Sequence, residues 1–246
     1  MSPKSLILRN LRFIHVPRGG LMKQAKSQSS RQWIARQERD QFVKSAKVQN
    51  YRARSAFKLL EIDDSFRILK PGNTVVDVGA APGSWTQVAV DRVNAIPTDA
   101  SQPEGMVISV DLLRIPPITG ANILDHSDFS HGDVQDKILS LLSGRRVDVV
   151  LSDMAPNASG VRSMDHERIV SLFEAAWEFS KEVLTENGHF LGKLWDGEHV
   201  RRLKGDLHPF FRSLKVIKPK ASRQESSELF LFARGFKRYL LHTSET

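Results

Sequence analysis

Residues 75–85 read VVDVGAAPGSW, an apolar run that breaks into small residues around one acid and closes on a tryptophan. A short apolar run bounded by turn residues is a buried strand, and helix-compatible sequence resumes at Ser84. The junction is therefore a strand, a tight turn and a helix start. Gly79, Ala80, Ala81 and Gly83 let a ligand approach the backbone there. In an open α/β sheet ligands bind at this place, beyond the carboxyl ends of the strands. A dinucleotide site would want G-x-G-x-x-G, to set a pyrophosphate on the helix N-terminus. Here Pro82 removes one N–H donor and Trp85 puts bulk into the first helical turn. A ligand without a pyrophosphate fits better.

Outward from this junction the chain alternates strand and helix. Strands are expected at 74–79, 106–111, 121–124, 147–153, 189–195, 214–219 and 228–233, and helices over 51–68, 84–93, 134–143, 165–185 and 198–212. The alternation predicts a Rossmann-like α/β fold, a seven-stranded, mostly parallel sheet with helices on both faces. Only KASRQESS separates the last two strands. That is too short for a parallel crossover, so the last strand is expected to run antiparallel.

Composition narrows the chemistry. Of 246 residues none is cysteine, which excludes disulfides, cysteine-ligated metals and thiol nucleophiles. His126, His131 and His166 show no metal-ligand spacing, and catalysis is expected to need no metal. No stretch approaches the length of a membrane span. The net charge of +8 has a local origin. Residues 1–37 carry eight Lys and Arg and no Asp or Glu, while the other 28 basic residues match all 28 acidic ones. Residues 1–40 read as a mitochondrial transit peptide, with a basic arm that touches RNA as the alternative. A single catalytic domain is expected over 41–240, followed by a tail at 241–246.

Two further acids stand where a nucleoside would need them. Asp111 ends the second strand, the usual place for an acceptor of ribose hydroxyls, and Asp128 follows the third, within reach of an adenine amino group. With the glycine turn, this ordered set fits S-adenosylmethionine. Lys193 lies inside an otherwise apolar strand, where an unpaired ammonium is costly. Either it reaches the surface, it forms a structural ion pair, or it is functional.

The motifs YRARSAFKL (51–59), GAAPGSW (79–85), SDMAPN (152–157), GKLW (192–195) and SRQESSELF (222–230) together resemble the FtsJ/RrmJ family of RNA ribose 2′-O-methyltransferases, over about residues 45–235. The resemblance implies a class I methyltransferase fold and S-adenosylmethionine as cofactor. It implies a catalytic tetrad of Lys58, Asp153, Lys193 and Glu228, with Lys193 as proton acceptor. It places Gly79, Ala81, Pro82, Gly83, Ser84, Trp85, Asp111, Asp128 and Asp153 at the cofactor. With the basic leader it points to the mitochondrial branch of the family, acting on a uridine ribose in large-subunit rRNA within an assembling subunit in the matrix. The rivals are a cytosolic or nucleolar tRNA or rRNA methyltransferase, and an assembly factor whose RNA binding outweighs its catalysis. An amine methyltransferase would show Asn/Asp-Pro-Pro-Tyr where this chain has Asp-Met-Ala-Pro. Ser84, and Leu229-Phe230 after the glutamate, depart from the family pattern without touching a reacting group.

Sequence leaves the charge of Lys193 open. Lys58 and a sulfonium lower its pKa, while Asp153 and Glu228 raise it. For RNA, Arg52, Arg54 and Arg223 are expected to meet phosphates, because they neighbour tetrad residues in sequence. Substitution of Arg52 by Glu would then weaken RNA binding and spare the cofactor.

Overall fold

The computed structural model describes residues 40–157 and 159–238, so the leader and the tail lie outside the described residues. The elements are α1 (Gln41–Val48), α2 (Ala56–Phe66), β1 (Thr74–Val78), α3 (Ser84–Arg92), β2 (Met106–Val110), β3 (Ala121–Leu124), α4 (Gly132–Leu142), β4 (Val147–Ser152), α5 (Arg162–Val183), β5 (Leu184–Trp195), α6 (His199–Leu207), β6 (Phe211–Ile217) and β7 (Glu228–Phe236). The seven strands form one sheet in the order β3-β2-β1-β4-β5-β7-β6. The first five are parallel neighbours. β7 slots between β5 and β6 and runs antiparallel to both, as the short connection required.

Strand alternation sorts the core onto two faces. Val76 and Val78 of β1 join Phe173 and Trp177 of α5 and Ile138 of α4 on one face. Val75 joins Leu59 and Ile62 of α2 and Trp85 and Val88 of α3 on the other. Both faces of the central strands are covered, which explains why these strands read as continuous apolar runs. Gly192 in β5 belongs to this packing: a Cβ there would stand 2.6 Å from the Phe173 ring.

The helix expected over 51–68 is shorter and has a partner before it. Asp40 caps α1, accepting from the N–H groups of Phe42 and Val43. The chain then turns at Asn50, whose φ is 58°. Arg52 spends its backbone N–H on the Gln87 side chain at 2.9 Å, so α2 begins only at Ala56. The apolar spacing of Tyr51 and Phe57 comes from an edge-to-face contact at 5.8 Å, not from a shared helix.

Candidate active site

The glycine turn behaves as a strand-to-helix corner held from several sides. Gly79 and Gly83 have φ of 76° and 102°, a region costly for other residues. Their missing side chains are replaced by protein. A Cβ on Gly79 would meet Met154 at 2.5 Å, and one on Gly83 would meet Ile118 at 2.6 Å and Arg52 at 2.8 Å. The two glycines thus shape the turn and let it pack, and the space beside them is taken up inside the chain. The Ala81 N–H donates to Asp111 Oδ2 at 2.8 Å, and Leu113 N–H donates to Oδ1 at 2.7 Å. Asp111 therefore fastens the turn to its own loop and keeps unused lone pairs for hydroxyl donors. Asp128 follows in the same region, binding the Ser130 N–H and hydroxyl, which hold its carboxyl below the usual carboxylate range.

Trp85 was expected at the cofactor, and the structure puts its side chain elsewhere. The indole is 2% exposed, stacks on Phe230 at 5.5 Å and donates Nε1–H to the Ser55 carbonyl at 2.8 Å. A large aromatic in the first turn of α3 points into the core because that face of the helix meets the sheet. Ser84 is also buried, its hydroxyl paired with that of Ser55 at 2.7 Å. Ser55 thereby ties α2 to the start of α3.

At the same edge of the sheet four ionic side chains converge. Lys58 comes from the first turn of α2, Asp153 follows β4, Lys193 lies near the end of β5, and Glu228 opens β7. Because β7 is antiparallel, its first residue reaches the edge where the parallel strands end. Lys58 Nζ donates to Glu228 at 2.7 Å. Lys193 Nζ stands 3.1 Å from Asp153 Oδ1 and 3.6 Å from Glu228 Oε2. Ser222 donates its hydroxyl to Glu228 Oε1 at 2.7 Å. The side chains of Lys58, Lys193 and Glu228 are only 10–11% exposed, and two cations balance two carboxylates. Burial pulls the Lys193 ammonium down, but Asp153 and Glu228 outweigh it and hold its pKa above the usual lysine value. Burial pushes Glu228 up, and Lys58 and Lys193 reverse this, leaving its carboxyl below the usual range. Around Lys193 the balance that sequence left open tips towards the charged form, because two carboxylates flank its Nζ. The sequence reading missed Ser222, although SRQESSELF contained it, because a serine six residues before a glutamate carries no signal until the β6–β7 loop folds back.

The three arginines expected at RNA are engaged within the protein. Arg52 Nη1 donates to the carbonyls of Pro82 and Pro116 at 2.9 and 2.7 Å, and Nη2 to that of Pro117 at 2.8 Å. It clips the glycine turn to the loop after Asp111. Arg54 pairs with Asp40 and with the Ala221 carbonyl, and Arg223 Nε lies 3.9 Å from the same Asp40. Closeness in sequence to the tetrad placed these guanidinium groups where neighbouring loops need donors. The Arg52 expectation therefore changes direction. Arg52→Ala should weaken S-adenosylhomocysteine binding by about tenfold in calorimetry, since charged hydrogen bonds that shape the turn are lost.

A model of the family described as FtsJ-like methyltransferase matches residues 51–236, which holds every element from α2 to β7. The chain belongs to this family. It is 47% identical over 212 residues to rRNA methyltransferase 2, mitochondrial, of Drosophila melanogaster, covering 86% of this chain and 85% of that one. It is likewise 47% identical to ribosomal RNA large subunit methyltransferase E of Cereibacter sphaeroides, over 85% of each chain. A crystal structure of a ribosomal RNA methyltransferase from Plasmodium falciparum superposes with a TM-score of 0.66 at 26% identity, covering 76% of this chain and 98% of that one. The fold is that of a class I methyltransferase, and the FtsJ-like chain is an enzyme that uses S-adenosylmethionine. Its site suits that group: the Asp111 carboxylate, fastened beside the glycine turn, keeps lone pairs for ribose hydroxyls. Among the described residues no cluster of His, Asp and Glu could hold a metal.

Proposed function

We propose that this methyltransferase modifies the 2′-oxygen of a uridine ribose in mitochondrial large-subunit rRNA, and acts on an assembling subunit in the matrix. The observation that carries this reading is the buried Lys58–Glu228–Lys193–Asp153 cluster beside the glycine turn. S-adenosylmethionine supplies an activated methyl, so the protein's task is the weakly acidic hydroxyl. Lys58 and Glu228 position the ribose, Asp153 orients Lys193, and Lys193 accepts the hydroxyl proton. The raised pKa of Lys193 favours a second reading of that one residue. As a standing ammonium it would stabilise the alkoxide as charge develops, and the proton would leave to solvent. The names of the relatives and the basic leader support rRNA and the mitochondrion. The gene should be deleted and ribose methylation mapped across organellar and cytosolic rRNA. One site in the mitochondrial large-subunit rRNA should lose its methyl group. Loss of a cytosolic or tRNA site instead, or of none, would overturn the assignment.

A further inference from the structure

A second feature lies on the acceptor side of the tetrad. Trp195 ends β5, two residues beyond Lys193, and in the β5–β7 register it faces Glu228. Two residues of strand span about 7 Å. The indole is partly exposed and borders an open cavity of about 400 Å³. The remaining walls are Glu225 and Ser227, just before Glu228, and Gly160, Arg162 and Asp165 at the start of α5. Val161 and Met164, each 48% exposed, flank those residues in sequence. The rings of His166 and Trp195 are perpendicular, with centroids 6.1 Å apart and planes at 86°.

We infer that this cavity receives the base of the nucleotide being methylated, drawn out of the RNA stack and laid on Trp195; the inference rests on the ribose 2′-O-transfer reading above. A ribose whose 2′-hydroxyl meets Lys193 carries its base one glycosidic bond away. The base must therefore settle beside the tetrad. The glycine turn leaves β1, and β4 separates β1 from β5, so this cavity lies about two strand spacings from the cofactor loop. Its occupant comes from the acceptor. With Asp165 and Glu225 against the one cation Arg162, the wall is net acidic, which disfavours a phosphate, whereas a neutral base tolerates it. The Asp165 carboxylate is already held by the Ser159 N–H at 2.9 Å. Glu225, Ser227 and Arg162 are placed to meet the polar edge of a base, and the Trp195 indole lines the wall against which it would lie. Aromatic stacking is indifferent to base identity, so discrimination falls to those three side chains.

The test is a cycle between protein and substrate, with the full chain and whichever form of the target rRNA it methylates, free or in an assembling particle. The target segment is made with its normal base or with an abasic ribose that keeps the 2′-hydroxyl. Trp195→Ala should lower kcat/KM on normal RNA by about 10- to 100-fold, and Trp195→Phe should restore most of it. S-adenosylhomocysteine affinity should stay within threefold in both variants. The abasic target should depress the wild type by a similar factor and depress Trp195→Ala little further. Multiplicative losses, an active Trp195→Ala, or loss of cofactor affinity in that variant would overturn the inference. A wild type that places its methyl anywhere but the ribose of normal RNA would overturn the underlying reading instead, and the two failures are told apart by the alkali resistance of the product.

Discussion

Lys193→Met should reduce kcat roughly a thousand-fold while S-adenosylhomocysteine binding changes by no more than a few-fold. Methionine keeps the length of the side chain and removes both the proton acceptor and the positive charge. What it leaves is Asp153 and Glu228 facing each other, with Lys58 the remaining cation of the cluster. The variant should also melt earlier, because removing one partner of a buried ionic group leaves charge uncompensated. Activity is therefore measured well below its Tm, with binding as the check on folding. The pH profile separates the two roles. If Lys193 accepts the proton, log kcat climbs with pH across the neutral range, because the two carboxylates hold the amine protonated until high pH. Asp153→Asn removes one of those carboxylates and should move the climb to lower pH, if the variant still binds cofactor. A profile flat through neutrality, with unchanged position in Asp153→Asn, would assign the ammonium role. Near-wild-type turnover by Lys193→Met would remove the residue from the chemistry altogether.

Asp77→Asn should gain stability over the wild type progressively as pH rises from about 4 to about 7. Asp77 lies in β1 at 0% exposure, and its Oδ2 accepts from the Thr86 hydroxyl at 2.8 Å. Its Oδ1 is buried and lacks a hydrogen-bond partner among the described residues. Burial, opposed by the Thr86 hydrogen bond and reinforced by Asp153 and Asp111, pushes its pKa from 3.8 up to about 7. A folded-state pKa above the unfolded one means that the native state binds the proton more tightly. The resulting stabilisation is complete below about pH 4 and fades as pH rises through about 7. Over that window the wild type should lose roughly 4 kcal/mol through this group alone. Asparagine is neutral at every pH and can still accept from Thr86. The difference in unfolding free energy between variant and wild type, measured by denaturant at pH 5.5 and pH 8, should therefore grow with pH in favour of the variant. A difference independent of pH would show that the carboxyl titrates normally. Glu228 has the opposite sign: its lowered pKa adds stability above the usual carboxylate range, which is lost on acidification. This is why the variant and the wild type must be compared at each pH, and not the wild type with itself.

The strands of the sheet were legible in sequence because each is a short apolar run bounded by turn residues. Expected and observed limits differ chiefly where local pattern and long-range bonding compete. β5 starts at Leu184, five residues earlier than expected, since polar TEN (185–187) hid its first part. Residues 51–55 carry helical spacing yet stay outside α2, because Gln87, 35 positions away, takes the Arg52 backbone N–H. Tetrad identity came from motif resemblance, and the meeting of its members across 170 positions was an expectation that the Lys58–Glu228 bond fulfils.

Arginines show the limit most clearly. Sequence gives their charge and their distance along the chain from a motif. It does not give the carbonyls of Pro82, Pro116 and Pro117, which converge on Arg52 only after two separate loops have folded.

By itself the sequence determined a mostly parallel sheet, an antiparallel final strand, a glycine corner at the carboxyl edge and the residue types proposed to react. Local patterning and chain length dictate those features. Tertiary structure alone decided that Trp85 is core, that Trp195 borders a cavity, that the arginines are clips and that two carboxylates flank Lys193. Each of these depends on which groups from distant segments arrive within a few ångströms in a water-poor place, and electrostatics and packing are set by that distance.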